Sequence, residues 1–287
     1  MTDSATGASA ATLARKAYGT LEPIHIVVYF ASEGPEHYRA AGVKGGMRGY
    51  FASRSAAMGE VPAEVVIATF YNFCPRAVRT AIPSVWETST PSAMLAARLE
   101  VADLAMRRIL GDEVLNSSAM SEAAGLARQV AEAAGDGLGR PLYAAHAALP
   151  WPEPAHLQLW HAQSLLREYR GDGHVAALTL AGLDGIEALA SYVPLGKGLP
   201  ESILRATRGW EDEEWDAARD RLRARGLLDA DNRLTETGAA LRETIEAQTD
   251  LAASGPWAAL GAEPTNRLRD LVRPWSRTII ADLFGGA

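Results

Sequence analysis

Between residues 11 and 194, apolar side chains recur at three- and four-residue intervals, the period of helices that bury one face. In "LARKAYGTLEPIHIVVYFASE", Tyr18, Leu21, His25, Val28 and Tyr29 keep this spacing, and Pro23 predicts the start of a second helical segment. Shorter helical pieces follow in "GMRGYFASRSAAMG" and "VPAEVVIATFYNFCP", closed by Gly59 and Pro75. "TPSAMLAARLEVADLAMRRIL" reads as a helix capped by Thr90 with Pro91 at its first position, and "SEAAGLARQVAEAAG" as the next. The Gly- and Pro-punctuated stretch 136–156 reads as a connection. After it come "PEPAHLQLWHAQSLLREYRG" and "GHVAALTLAGLDGIEALASYV". Neither an internal repeat nor strand alternation interrupts this part, so the expected fold class is mainly α.

The composition shifts at "VPLGKGLPE", residues 193–201. Beyond it stand a short helix ("PESILRATRG"), an acidic-then-basic helix ("EDEEWDAARDRLRARG"), a tight Asp-Ala-Asp-Asn turn between Leu228 and Arg233, and a helix capped by Thr235. Helix, helix, small β-hairpin, helix is the order of a winged helix-turn-helix module. The expected organisation is therefore a disordered lead-in over 1–10, a helical ligand-binding domain over 11–194, a winged-helix module over 199–261 and a C-terminal helix over 262–287. That last helix would pack on the first domain or on a second subunit, and a homodimer is expected.

Charge narrows the partners. The net charge is −7, which disfavours phosphate-rich and anionic-lipid partners unless basic residues gather in a patch. Within the module, Glu211, Asp212, Glu213, Glu214 and Asp216 open the helix that would enter a DNA groove, and Arg219, Arg221, Arg223 and Arg225 follow at its far end. DNA binding is disfavoured on that ground, and a scaffold or dimerisation role is expected instead. The single cysteine, Cys74, leaves no intrachain disulfide or Cys-based zinc site. No secretory signal and no apolar run of membrane-spanning length appears, so a soluble, cytoplasmic protein with no membrane partner is expected.

The chemistry should lie where polar residues interrupt apolar stripes, because a buried polar group needs a partner or a ligand. Leu157, Trp160, His161, Ser164, Leu165 and Glu168 share one stripe. His25 shares a face with Leu21 and Val28, with Glu22 nearby; Arg54 follows Tyr50 by one turn, and Asn72 follows Thr69. In "LLREYRGDGHVAAL", Gly171 and Gly173 predict a sharp break after Glu168, with Asp172 capping the following helix, His174 in its first turn, and Arg167 and Arg170 beside the stripe as clamps.

Each of these residues alone fits a structural role, whereas a stable core rarely needs so many ionisable groups. Together they predict a polar-lined pocket for a small organic molecule, with Trp160, Tyr50 and Phe70 as walls and Glu22, Arg54, Asn72, His161, Arg167, Arg170 and Asp172 among the polar contacts. Two alternatives stay open. One is an enzyme with His174 or His25 as base and Glu168 or Asp172 orienting it; the other is a DNA-binding regulator. No cofactor is expected: HExxH, Glu-x-x-His pairs, GxSxG, GxGxxG and the P-loop are absent, although metal or haem is not excluded by His25, His161, Glu168 and His174.

Taken together, "EPIHIVVYFASE", "YFASR", "ATFYNFCP", "LLREYRGDGHVAAL" and "RLTETGAALRETIEAQTD…PWAAL" resemble a family of actinobacterial helix-turn-helix-like, winged-helix proteins over residues 13 to 261. The resemblance implies a mostly helical protein ending in a winged-helix module. It brings no catalytic residues with it.

Overall fold

The computed structural model describes residues 3–285. Fourteen α-helices account for most of the described chain, and no strand occurs among the described residues. In order they are α1 (Asp3–Phe30), α2 (Gly34–Ala40), α3 (Gly46–Ser55), α4 (Ala63–Phe70), α5 (Pro75–Ala81), α6 (Pro91–Leu115), α7 (Ser118–Glu132), α8 (Pro141–Ala147), α9 (Ala155–Leu180), α10 (Gly185–Tyr192), α11 (Glu201–Arg208), α12 (Asp212–Ala224), α13 (Glu236–Leu260) and α14 (Ala262–Phe284).

Local signals set many of these boundaries. Thr90 Oγ1 accepts the Ala93 N–H at 3.2 Å, Thr235 Oγ1 accepts the Gly238 N–H at 3.0 Å, and Asp184 with Glu187 forms a reciprocal capping box at α10. Pro23, expected to begin a second segment, lies inside a continuous α1. An interior proline costs about 3 kcal/mol, less than the burial of Leu21, Ile24, Val27 and Val28 on either side returns at roughly 1.5–3 kcal/mol each. Of the lead-in expected over 1–10, residues 3–10 are the first turns of α1, and residues 1–2 lie outside the described residues.

Two apolar cores result. The first joins α1, α6, α7 and the first half of α9 with Ala253 and Trp257 of α13 and Leu268, Val272 and Ile279 of α14. The second gathers Leu178, Leu189, Leu204, Trp215, Leu222 and Ile245 around α10, α11 and α12. Helices α9 and α13 run through both. The composition shift at 193–201 is therefore not where the first core ends, since that core takes side chains from both C-terminal helices. The last helix packs along α1 of its own chain, with Ser276 Oγ donating to Thr20 O at 2.7 Å and Phe284 against Phe30.

Two local expectations differ from the structure. The wing forms no strand pair among the described residues: Leu228 and Leu234 make a single antiparallel bridge. Asp229 Oδ1 accepts the N–H groups of Asp231 and Arg233, both at 2.9 Å, and α13 begins at Glu236, so the pairing stays short, with Asp229 N–H to Arg233 O at 2.9 Å and Thr235 N–H to Leu227 O at 3.2 Å. Nor does the chain break at Gly171–Gly173, because α9 is continuous to Leu180. Gly173 serves close approach instead. A Cβ on Gly173 would lie 2.8 Å from Arg140 Nη1 and 3.1 Å from Ala252 Cβ, where Arg140 bridges α9 to α13 by donating to Tyr169 O and, at 2.7 Å, to Ala252 O.

Candidate functional site

Where the two cores meet, a cavity of about 370 Å³ opens, within the range of roughly 300–1,000 Å³ that small-molecule sites occupy. Its walls come from both sides. Helices α3, α4 and α9 and the turn after α4 bring Tyr50, Arg54, Phe70, Asn72, Glu168 and His174. Facing them, α10, α11, α13 and the connection before α11 bring Leu189, Leu199, Leu204, Arg208, Arg242 and Thr249.

Its polar floor is built around Glu168, which is 1% exposed. Arg54 clamps it through both ends of the guanidinium, Nε to Oε1 at 3.1 Å and Nη2 to Oε2 at 2.9 Å, and Arg167 Nη1 donates to it at 3.0 Å. Burial opposes the carboxylate charge, but Arg167 and Arg54 outweigh it and hold Glu168 well below the usual range. Arg54 also donates to Tyr50 Oη at 3.1 Å and lies 4.3 Å from the centre of Phe70. Glu22 stands behind Arg167 at 3.7 Å, and burial, with Glu168 adding repulsion against the pull of Arg167, lifts its carboxyl to about 7.

One turn further along α9, Asp172 caps a different helix from the one expected. Its Oδ2 accepts the N–H groups of Leu142 at 3.1 Å and Tyr143 at 2.9 Å, at the start of α8. Burial raises its carboxyl to about 6 against these two bonds. His174, in the interior of α9, lies 2.8 Å from Thr249 Oγ1 through Nδ1. The Thr249 hydroxyl already donates to Ile245 O at 2.7 Å, so His174 Nδ1 carries the proton and Nε2 is left as an acceptor. Burial, Arg242 and Arg170 lower this imidazole to about 4, so it is neutral at physiological pH. Arg170 is held by Asp250 at 2.7 Å and Glu246 at 3.3 Å.

The structure thus brings Tyr50, Arg54, Phe70, Asn72, Arg167, Glu168, Arg170, Asp172 and His174 to one cavity and leaves four expected residues out of its lining. Trp160 is buried in the first core beside Arg98, and His161 packs edge-on against Trp151 at 4.8 Å. His25 hydrogen-bonds Ser164 at 3.0 Å and, like Glu22, lies behind the wall. The stripe that carries Trp160 and His161 faces the core, and only the stretch of α9 from Arg167 to Leu178 reaches the cavity. The sequence reading missed the wall from α11 and α13. Arg242, Ile245, Glu246 and Thr249 recur at three- and four-residue spacing on α13, and that polar-marked stripe was the available signal.

The segment expected to form the helix-turn-helix presents a different surface. Asp212, Glu213, Asp216 and Asp220 are exposed on α12. The arginines of that helix are engaged: Arg219 with Glu201 at 2.6 Å, Arg221 with Asp184 and Glu187 at 2.8 Å, Arg223 with Asp220, and the following Arg225 with Gly182 O at 2.8 Å. Among the described residues, no group of three His, Cys, Asp or Glu side chains could hold a metal ion. No single helix there is long and apolar enough to cross a membrane.

Neither a curated protein nor a solved structure is similar enough to this chain to count as a match. A family model does match, over residues 14–285, and so takes in both cores, the cavity between them and the α10–α12 segment. The chain belongs to this helix-turn-helix family.

Proposed function

We propose that the protein binds a mid-sized, partly aromatic organic molecule in the cavity between its two cores, as a metabolite sensor or a sequestering protein. The observation that carries this reading is the cavity itself, walled by Tyr50 and Phe70 and set with Arg54, Arg208, Arg242 and His174 where α9 and α13 pass from one core to the other. A purely structural core has little use for so many guanidinium groups around an unfilled volume. Helices α10, α11 and α13 then act as the second wall of the site. A thermal-shift screen against small metabolites should give ligand-dependent rises in Tm, lost in Leu189→Trp, which fills the cavity from α10. Failure of every compound to shift the wild-type protein would sink the reading.

Family membership supports a second reading, a DNA-binding regulator. The carboxylates exposed on α12 argue against it, because they would stand against phosphates with no free arginine beside them. Fluorescence anisotropy with duplex DNA at low salt decides the matter: binding that weakens steeply as salt rises would favour the regulator. An enzymatic reading has weaker support. Glu168 is locked between two arginines, His25 lies outside the cavity lining, and an imidazole at about 4 is a feeble base at neutral pH.

A further inference from the structure

Within the cavity lining, Arg54, Arg167, Arg170, Arg208 and Arg242 stand against only Glu168, Asp172 and Glu246. Asp250 behind the wall answers Arg170, and Glu22, with its carboxyl at about 7, is only partly charged at neutral pH. Of the five lining arginines, Arg208 forms no ion pair among the described residues. Its Nη1 donates to Thr207 Oγ1 at 2.8 Å, its guanidinium lies 4.5 Å from the centre of Phe73, and its buried Nε has no partner. Arg54 and Arg167 are near enough for their charges to act on it. Arg242, 3% exposed, is also undersupplied: Nε and Nη1 lack partners and its Nη2 is 3.7 Å from Glu246.

Guanidinium groups gathered out of water with unmade hydrogen bonds are costly unless an anion completes them. We propose that the ligand is an amphipathic anion, a carboxylate or phosphate monoester on an apolar body, whose charged end sits between Arg208 of α11 and the Arg54–Arg167 pair. This inference rests on the cavity being a ligand site. The apolar body has a matching surface in Leu178, Leu189, Leu199 and Leu204, all lining the same cavity. Arg208 comes from the helix-turn-helix segment and Arg54 and Arg167 from the other side, so the anion would bond one to the other. Binding would thus tighten the α11 junction, which already holds through the Cys74 N–H to Arg208 O bond at 2.8 Å.

The test is calorimetric titration of the full chain with charged and neutral probes of one shape: cinnamate against cinnamamide and octanoate against octanamide, with phenyl phosphate as the phosphate arm. The anions should bind at least about tenfold more tightly than the amides, the ratio expected for a charge-assisted hydrogen bond. Arg208→Gln should erase that preference and Arg208→Lys should keep part of it. Arg76→Gln, which removes an exposed pair with Glu214 outside the cavity, should leave it intact. Which anion arm binds more tightly distinguishes carboxylate from phosphate. Equal binding of amides and acids, or a preference that survives Arg208→Gln, overturns the anion while leaving the cavity reading in place, provided Leu189→Trp abolishes binding of all probes. If no probe binds the wild-type protein, both fall. Should Arg208→Gln fail to fold, the wild-type amide comparison and Arg208→Lys still decide.

Discussion

Glu168 is the residue on which the polar floor depends, and its worth lies in what its removal would leave behind. Two guanidinium groups, those of Arg54 and Arg167, share this one buried carboxylate. Glu168→Gln should therefore cost about 3–5 kcal/mol in urea unfolding, the range for a buried pair that loses one partner. Pairing it with Arg54→Met should recover part of that loss; a double variant less stable than the single one would show that Arg54 is held by something else. The buried histidines give a second prediction. Burial holds His146, His161 and His174 at about 4, against about 6.5 in an unfolded chain. Their stabilising contribution is complete above pH 6.5 and fades as pH falls toward 4. Glu22 at about 7 and Asp172 at about 6 act in the opposite sense, losing their contribution as pH rises through those values. The histidines outnumber them, so the urea midpoint should rise between pH 5 and pH 7. His161→Phe, which keeps the ring against Trp151, should flatten that rise; an unchanged slope would place the titration elsewhere.

At the scale of elements, glycine shows how far a sequence pattern reaches. Gly125 lies exposed in α7 with nothing within 4 Å of an added Cβ, so Gly125→Ala should stabilise the protein by about 0.8–1.0 kcal/mol, the helix-propensity difference. Gly185, at the start of α10, would bring a Cβ to 2.1 Å from Tyr71 O, in the turn that forms one cavity wall. Gly185→Ala should cost roughly 1–3 kcal/mol by forcing that backbone apart. Equal effects of the two substitutions in urea unfolding would refute the distinction. Nothing in the local sequence separates these glycines, because the difference is made by a chain segment more than a hundred residues away. Gly173 follows the same rule: glycine is a turn signal locally, while the approach of Arg140 and Ala252 to Gly173 inside a helix is tertiary. Helix caps at Thr90, Ser117 and Thr235 involve partners within three residues, and Thr90 and Thr235 were legible on that account. The half of the site on α9 was legible as polar interruptions of an apolar stripe. Arg208 was not, and Arg242 only as part of the polar-marked stripe of α13, since the wall they form exists only once α11 and α13 have folded back over α9.

For the whole molecule, the sequence pattern predicts a helical domain ending near 194, while the packing closes the first core only with α13 and α14. Without them the 11–194 segment would expose the partners of Ala253, Trp257, Leu268, Val272 and Ile279 on α1, α7 and α9. The larger of those side chains are worth roughly 1.5–3 kcal/mol each when buried, together comparable with the 5–15 kcal/mol that holds an ordinary protein folded. Expressed alone, residues 11–194 should therefore show no cooperative urea transition by far-UV circular dichroism, whereas the full chain should unfold in one step, with circular dichroism and tryptophan fluorescence superimposing. The fluorescence reports both cores, through Trp160 and Trp257 in the first and Trp215 in the second. A folded 11–194 fragment, or two separated transitions in the full chain, would mean that α9 and α13 do not couple the cores. Coupling is also what gives the cavity its leverage. A ligand held between Arg54 on α3 and Arg208 on α11 pulls on both cores at once, so occupancy should slow amide exchange along α11 and along α9 together, a pattern that a ligand bound to one core alone would not produce.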